Sequence, residues 1–492
     1  MSLLSTLLVL LLPTMVGAPL LGLLDRAGQR GAVVWLGRIG AGWLLGVPLC
    51  GAILRLFHGV EPMGLFSASI IWLLLLSAAL WAAFILRERR NAGPVEAPSV
   101  PLGGWNALCW LLLILLAAHW LLAAMQALWL PTLTWDAWTT WLGKPKAWSG
   151  ATELQGFQTL KAWADNLGEG APAALAPHYP ESIPRYLLLL VSAHGQWSNP
   201  VSDLPWLQLT PMLALALFAG CRRSGFTSPF SMIMAYALLS MPLVDAHIAL
   251  AGYLDLWLAA LLALAAISLL RWRIAGDRRQ LLQGVLFAIS LPLVKQEGAV
   301  WLLVLLASAL LLALPPRLRW LLVGAGVVIP LIGLLVGGLP IPAPGLGTVW
   351  LRWGEITVPG IGEIELALHP VAPEVFASLF LLPNFHLLWW LLPVGALLGW
   401  RQQRFDRAAK GLGLLLLLGL GFVGFLFFFT DAAAWAKNLT SLNRIVLQLA
   451  PVAILFLGAL FRSGFSATAG LPSADPEPTD PEPADTAMPT AR

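Results

Sequence analysis

Long apolar stretches, separated by short polar or charged segments, recur along almost the whole chain. A stretch of roughly 17 to 25 apolar residues is long enough to cross a lipid bilayer as an α-helix. The pattern therefore predicts an all-α polytopic membrane protein with about 13 transmembrane helices. The predicted crossings are residues 2–24, 32–57, 64–86, 105–130, 204–220, 226–243, 248–270, 281–296, 298–314, 318–339, 376–399, 411–429 and 446–461.

One further apolar stretch, residues 186–197, is too short to cross and is interrupted by His194. It predicts a re-entrant or interfacial helix, with other short helices along the membrane surface around it. This stretch lies in the first of three long segments between crossings. Such segments are usually functional when they are neither low in complexity nor strongly polar. The three long segments are residues 131–203, 340–375 and 430–445.

The basic residues agree with this arrangement of crossings. If the N-terminus lies outside, the inner segments carry most of the Lys and Arg residues, as the positive-inside rule requires. Counting residues 186–197 as a crossing would invert every later segment and destroy this pattern. The acidic residues gather mainly in the outer segments. We therefore expect an outer N-terminus, three outer long segments and a cytoplasmic C-terminal tail.

Composition excludes a soluble protein, because only 11% of the residues are charged and the mean hydropathy is +0.80. Soluble chains carry about a quarter charged residues. No basic or basic-aromatic tract suggests a nucleic-acid partner. Cys50, Cys109 and Cys221 all lie in apolar segments, so neither a disulfide framework nor a cysteine metal site is indicated.

The sequence predicts three parts. Residues 1–104 form an N-terminal three-helix addition, and residues 105–462 form the transmembrane core. Residues 463–492 include a Pro-rich acidic repeat, DPEPTDPEPAD, which cannot bury a hydrophobic core. This last part is expected to be a disordered cytoplasmic tail.

The most informative polar cluster directly follows the crossing at 105–130. Its sequence, PTLTWDAWTTWLGKPKAW, places Asp136 among tryptophans, with Lys144 and Lys146 just beyond. Indole rings favour the headgroup layer of a bilayer. A carboxylate and two ammonium groups at that depth suit a substrate with an apolar tail and an anionic head. The plainer interpretation is a tryptophan belt with a few charges at a helix end.

Other ionisable residues are predicted on the same side of the membrane. Asp255 lies near the outer end of one crossing, Lys295 and Glu297 lie between two short crossings, and Arg444 begins the last one. A charge at the centre of a membrane helix costs roughly 2.5 to 3.5 kcal/mol, so it normally has a partner or a function. Individually these residues can be local ion pairs or headgroup anchors. Their shared side is what indicates a functional site.

The order of these motifs resembles that of the C-type (GT-C) integral-membrane glycosyltransferases, including the aminoarabinose transferases and the protein O-mannosyltransferases. The resemblance is clearest over residues 105–315, and the first three crossings have no counterpart in it. The segments that carry it are WDAWTTWLGKPKAW at 135–148, HYPESIPRYLLLL at 178–190, CRRSGF at 221–226, AGYLDLWLAALLAL at 251–264, LPLVKQEGAVWLL at 291–303 and NRIVLQLAP at 443–451.

The resemblance implies an enzyme of a bacterial inner membrane. It would transfer a sugar, with inversion, from a polyprenyl-phosphate donor to a glycan, lipid or protein acceptor at the outer face. Asp136 is expected to be the catalytic base, or a ligand for a metal or the acceptor. The donor phosphate is expected to contact Lys295 and Arg444, with Lys144 and Lys146 as further candidates; the sugar or acceptor is expected to contact His178, Tyr179, Asp255 and Glu297.

No cofactor is indicated, and metal dependence is left open. Asp136 and His178 could hold a divalent ion, although their spacing matches no recognised ligand motif. Three other functions remain. A lipid-linked oligosaccharide ligase or polymerase would use similar chemistry. A transporter or flippase would place charged or helix-breaking residues near the bilayer midplane and show inverted repeats. A structural subunit would need none of these charged residues.

Overall fold

The computed structural model describes residues 3–91, 103–343, 347–359 and 362–464. The predicted tail at 463–492 lies outside the described residues apart from its first two positions. The described chain is mainly helical. Its helices are α1 (Leu3–Leu24), α2 (Ala32–Ile53), α3 (Leu65–Arg90), α4 (Ala107–Trp129), α5 (Gly143–Ser149), α6 (Leu160–Asp165), α7 (Ser182–His194), α8 (Asn199–Arg223), α9 (Ser228–Leu239), α10 (Pro242–Ala249), α11 (Asp255–Ala275), α12 (Arg278–Val294), α13 (Glu297–Ala313), α14 (Pro316–Leu335), α15 (Ala372–Phe376), α16 (Leu388–Arg401), α17 (Arg407–Phe429), α18 (Ala433–Lys437) and α19 (Ser441–Leu460).

Nine helices in the part of the chain that the structure describes are long and apolar enough to cross a membrane, or ten if one bent pair is a single crossing. They are the helices of a polytopic integral membrane protein. The predicted count of thirteen is not established, because α12 and α13 have 17 residues each and α16 has 14. The nine are α1, α2 and α3 (the last two with adjoining 3-10 turns), α4, α8, α11, α14, α17 and α19.

Two predicted crossings are interrupted by proline. The helix predicted at 226–243 ends at Leu239 as α9, and α10 follows from Pro242 to Ala249 at an angle of 62° to it. Pro242 begins α10, and the residue before a proline is disfavoured in helical geometry, so Met241 is extended. Pro383 similarly delays the start of α16 until Leu388, later than the predicted 376–399.

The segment at 340–375, predicted to lie outside, contains β-structure, which the all-α prediction missed. Strands β1 (Leu339–Ala343), β2 (Gly347–Arg352), β3 (Glu355–Val358) and β4 (Gly362–Glu365) form an antiparallel sheet in sequence order. Two prolines fall in β1, where an edge strand tolerates the missing N–H donors.

Short helices occupy the first long segment, residues 131–203, and α7 is the helix expected near 186–197. At 13 residues it is about 20 Å long, too short for a bilayer core of roughly 30 Å. All its residues except His194 are buried. The Tyr186 hydroxyl donates to the Val9 carbonyl at 3.1 Å, and the Ser192 hydroxyl donates to Met63 at 2.6 Å. Helix α7 is therefore enclosed by protein.

The first three helices share one hydrophobic core with the rest of the chain. Helix α1 packs closely on α2, where a side chain at Gly46 would lie 2.0 Å from the Pro13 carbonyl oxygen. Helix α2 also packs on α7, α8 and α12. The proposed boundary at residue 104 remains a prediction, and packing is continuous across it.

Two clusters of ionisable residues lie near helix ends. One contains Asp25, Arg38 and Arg223, from segments predicted to be inside. The other joins Arg444 to Asp136 and Asp255, from segments predicted to be outside. Helix α11 connects the two clusters, because it begins at Asp255 and ends beside the first one.

Candidate functional site

The centre of the cluster that joins Arg444 to Asp136 and Asp255 is the carboxylate of Asp255, the first residue of α11, which is fully buried. Its Oδ1 accepts hydrogen bonds from Lys295 Nζ and Gln448 Nε2, both at 2.9 Å. Its Oδ2 accepts one from Arg444 Nε at 2.8 Å. A negative charge at a helix N-terminus is also favoured by the helix dipole. Three donors from distant parts of the chain thus converge on one carboxylate.

Arg444, in the first turn of α19, links this centre to Asp136. Its Nη2 donates to Asp136 Oδ2 at 2.5 Å, and its guanidinium lies 4.2 Å from the centre of the Tyr253 ring. A guanidinium has five N–H donors in a fixed plane. The contacts with the two aspartates use Nε and Nη2, so Nη1 takes no part in them.

Lys295 extends the cluster to a third carboxylate. Its Nζ contacts Glu297 Oε1 at 2.9 Å as well as Asp255. The turn between α12 and α13 is tight, since a side chain at Gly298 would lie 2.1 Å from the Leu291 carbonyl oxygen. Glu297 Oε2 is buried and has no hydrogen-bond partner among the described residues. The expected local ion pair exists, and it is part of a larger network.

The backbone around Asp136 is held against the loop that precedes α11. Thr134 Oγ1 donates to the carbonyls of Leu250 and Ala251, each at 3.1 Å. Gly252 has a φ of +118°, and a side chain there would lie 2.2 Å from the Ala137 Cβ. Only glycine accommodates both this backbone angle and this close approach. Residues Ala137–Trp141 then form a π-helical turn, a feature frequent at functional sites.

The network has an acidic surface and a buried interior. The side chains of Asp136 and Glu297 are 23% and 25% exposed, whereas Lys295 is 6% exposed and Asp255 is not exposed. With ordinary charges, three carboxylates outnumber two cations. The accessible edge of the network therefore consists of the partly exposed side chains of Asp136 and Glu297, and Arg444, 15% exposed, lies beside Asp136.

Tyr179 is a predicted site residue outside the ion pairs that lies close enough to be affected by the charges of this network. Its ring packs against Trp141 at 5.4 Å between centres. Burial, with a smaller contribution from the nearby charge of Glu297, raises the pKa of Tyr179 to about 12. The hydroxyl therefore keeps its proton at neutral pH and can donate a hydrogen bond.

The other predicted site residues lie outside the ion-pair network. Lys144 is buried and donates to the carbonyls of Pro177 and Tyr179 at 3.0 and 3.2 Å, which tethers the His-Tyr-Pro segment. Burial lowers the pKa of Lys144 to about 8. His178 is exposed beside the Tyr179 ring, and Lys146 is exposed 6.0 Å from the Trp197 ring. Their predicted ligand contacts remain predictions.

Gln448 was not predicted as a site residue. It is fully buried, donates to Asp255 and accepts a hydrogen bond from the Trp301 indole. It lies four residues after Arg444, so both side chains share one face of α19. A polar side chain at that spacing in an apolar helix was the signal available in the sequence.

A large apolar cavity of about 720 Å³ lies along α9, α16 and α19. Its walls include Phe230, Met234, Leu391 and Leu457. His119 borders it and also a second cavity of about 230 Å³. The His119 Nδ1 atom lies 2.8 Å from Asp245 Oδ2.

Within the described ranges, no group of three or more His, Cys, Asp or Glu side chains is arranged to hold a metal ion. Asp136 and His178 make no such group. No family model, curated protein or solved structure matches this chain. Its function is therefore inferred from the geometry of the site and from the sequence motifs.

Proposed function

We propose that this protein is an integral-membrane glycosyltransferase that moves a sugar from a polyprenyl-phosphate donor to an acceptor hydroxyl, with inversion, at the outer face of a bacterial inner membrane. Asp136 is the catalytic base. Arg444 and Lys295 stabilise the departing phosphate. Tyr179 and Glu297 contact the sugar or the acceptor.

The observation that carries this proposal is the network that joins Asp136, Arg444, Asp255, Lys295 and Glu297. These residues come from four of the segments that resemble the GT-C enzymes. Asp136 and Arg444 are separated by 308 positions in the chain, yet their side chains are in contact. Convergence of this kind is expected of a catalytic site and is not required of separate headgroup anchors.

The reaction needs one base and at least one cation. The acceptor oxygen forms a bond to the anomeric carbon while the bond from that carbon to the phosphate oxygen breaks. Asp136 takes the proton of the acceptor hydroxyl, and the polyprenyl phosphate leaves with the bonding electron pair. Attack from the face opposite to the leaving group inverts the anomeric configuration. A positioned general base contributes roughly 10²- to 10⁴-fold to such a rate.

The cations are suited to the leaving group because their donors are incompletely used. Arg444 Nη1 makes no hydrogen bond with the residues that the structure describes, and a lysine ammonium has three hydrogens, of which two contact Asp255 and Glu297. Asp255 holds both cations in place, so its role is to position them. Donors fixed before the reaction stabilise developing charge without reorganisation.

Asp136→Asn tests the base assignment. The purified protein in liposomes would be incubated with a panel of polyprenyl-phosphate sugars and acceptors, and released polyprenyl phosphate would be measured by mass spectrometry. We expect Asp136→Asn to lower the rate at least 100-fold. The control is Asp165→Asn, an exposed carboxylate in the same outer segment, which should keep wild-type activity. Full activity in Asp136→Asn would end the base assignment.

A transporter or flippase of a lipid-linked substrate is the second candidate, and the 720 Å³ cavity favours it. That cavity is lined by Ile454, Leu457 and Gly458 of α19 and by Phe461 just after it, at the opposite end of the helix from Arg444. An apolar space of this size suits a lipid chain. A fluorescent polyprenyl-phosphate lipid that changes leaflet in proteoliposomes, without release of its sugar, would establish transport instead of transfer.

A further inference from the structure

The end of the protein opposite to the Asp255 network contains a second charged cluster around Asp25. Asp25 Oδ2 accepts from Arg38 Nε at 3.1 Å. Asp25 Oδ1 accepts from Arg223 Nη2 at 2.6 Å and from Gln283 Nε2 at 3.0 Å. Arg271 lies near the end of α11, sixteen residues after Asp255 and so about 24 Å along the helix. The two clusters are separate sites.

These side chains surround a small cavity of about 40 Å³. One water needs roughly 10 to 15 Å³ of such space, so the cavity holds a few waters or one compact ion. Its charged lining consists of Asp25, Arg38, Arg223 and Arg271. Three guanidinium groups against one carboxylate leave two positive charges without a counter-charge among these lining residues.

Two of the arginines have donors that the described residues do not use. Arg38 is 2% exposed, and its Nη2 is buried with no hydrogen-bond partner in the described chain. The rings of Trp35 and Phe84 both lie 5.1 Å from the guanidinium carbon. These rings offer the Nη2 group no hydrogen-bond acceptor.

Arg271 makes no hydrogen bond or ion pair with any residue that the structure describes, although it lines the cavity. The buried and unsatisfied donor is Arg38 Nη2, and such a donor is costly, more so in a charged group. An anion between Arg38 and Arg271 would remove this cost.

We propose that the cavity binds a phosphate group or a similar small oxyanion, held by Arg38, Arg223 and Arg271. Guanidinium groups match phosphate oxygens because each presents paired donors in one plane. Arg271 is partly exposed, so the site is reachable from the surface at this end of the helices. The phosphate can belong to a lipid headgroup or to a free anion. This site is independent of the proposed transferase activity.

The test uses the full-length protein in maltoside micelles, which contain no phosphate. Inorganic phosphate is titrated at constant ionic strength set with sodium gluconate, and phosphatidic acid is titrated in a parallel series. Thermal unfolding is followed by tryptophan fluorescence, because a ligand of the folded state raises the unfolding temperature saturably. Native mass spectrometry counts the bound phosphate or lipid.

Arg271→Gln is the informative variant. We expect it to weaken phosphate binding at least about tenfold, because it removes one charge-assisted hydrogen bond. Arg273→Gln is the matched control, since Arg273 lies on the same helix and donates to the Arg407 carbonyl at 3.1 Å. It should bind as the wild type does. Arg271→Lys keeps the charge without the planar donors and should bind with intermediate affinity.

A free-anion site is supported if inorganic phosphate binds saturably and the affinity falls from the wild type and Arg273→Gln, through Arg271→Lys, to Arg271→Gln. The same order with phosphatidic acid alone supports a headgroup site. The proposal is overturned if neither probe binds the wild type saturably, or if Arg271→Gln and the wild type respond equally. The wild-type titration alone can therefore refute the site, even if a variant fails to fold.

Discussion

Asp255→Asn should destabilise the protein strongly, because Asp255 balances the buried charges of Lys295 and Arg444. The substitution keeps the size of the side chain and removes its charge. The amide N–H group of the new Asn would also face N–H donors, since the wild-type carboxylate accepts hydrogen bonds from Lys295, Arg444 and Gln448. Breaking one buried ion pair costs about 3 to 5 kcal/mol.

A loss of this size changes the unfolding equilibrium by roughly two to three and a half powers of ten. It can be measured by unfolding in mixed micelles with increasing SDS, followed by the fluorescence of the tryptophans. Glu355→Gln is the matched control, because it makes the same chemical change in an exposed pair with Arg352, at 2.9 Å. Exposed pairs contribute about 0 to 1 kcal/mol.

Adding Lys295→Met to Asp255→Asn should recover part of the lost stability, since it removes a buried cation whose remaining carboxylate partner in the described network is the partly exposed Glu297. The interpretation of Asp255 as the electrostatic centre is refuted if Asp255→Asn costs no more than Glu355→Gln. It is also refuted if the double variant shows only the sum of the two single effects.

Two further predictions concern the segments that support the site. The folded protein holds the Lys144 proton less tightly than the unfolded chain, with a pKa of about 8 against 10.5, so stability should rise with pH between these values. Lys144→Met should flatten this rise in SDS unfolding measured from pH 8 to 10, and an unchanged slope would contradict the assignment. Gly252→Ala should lower stability and transfer activity, because its Cβ would lie 2.2 Å from that of Ala137. Gly276→Ala is the control, because Gly276 has a φ of +67° but open space around it, so the substitution adds only backbone strain of roughly 1 to 2 kcal/mol. An equal loss of stability in both variants would contradict a role for the close approach of Gly252 to Ala137.

The sequence predicted that the charged residues of this site share one side of the membrane. That prediction needed only the number of predicted crossings between them. Asp136, Asp255, Lys295 and Arg444 do lie in one network. Their individual partners could not be predicted. Pairing of Arg444 with Asp136 depends on how α19 packs beside the loop before α11, and no local pattern encodes that packing.

Other differences had local signals that the hydrophobic pattern obscured. Pro242 marked the break between α9 and α10, and Gln448 was four residues from Arg444. The β-sheet was signalled by β-branched residues on both sides of Gly354, whose φ of +80° suits a turn. The enclosure of α7 by the first three helices is a tertiary feature, so its apolar sequence alone gave the length of the helix and not its surroundings.

The most direct test of the proposed function is to photo-crosslink polyprenyl-phosphate sugars to the purified protein and map the adducts by mass spectrometry. The donor phosphate and sugar are expected beside Asp136, Lys295 and Arg444, so the account predicts adducts in the peptides around 135–148 and 291–303, reduced by Lys295→Ala. Adducts confined to the walls of the 720 Å³ cavity, or none with any donor, would contradict it.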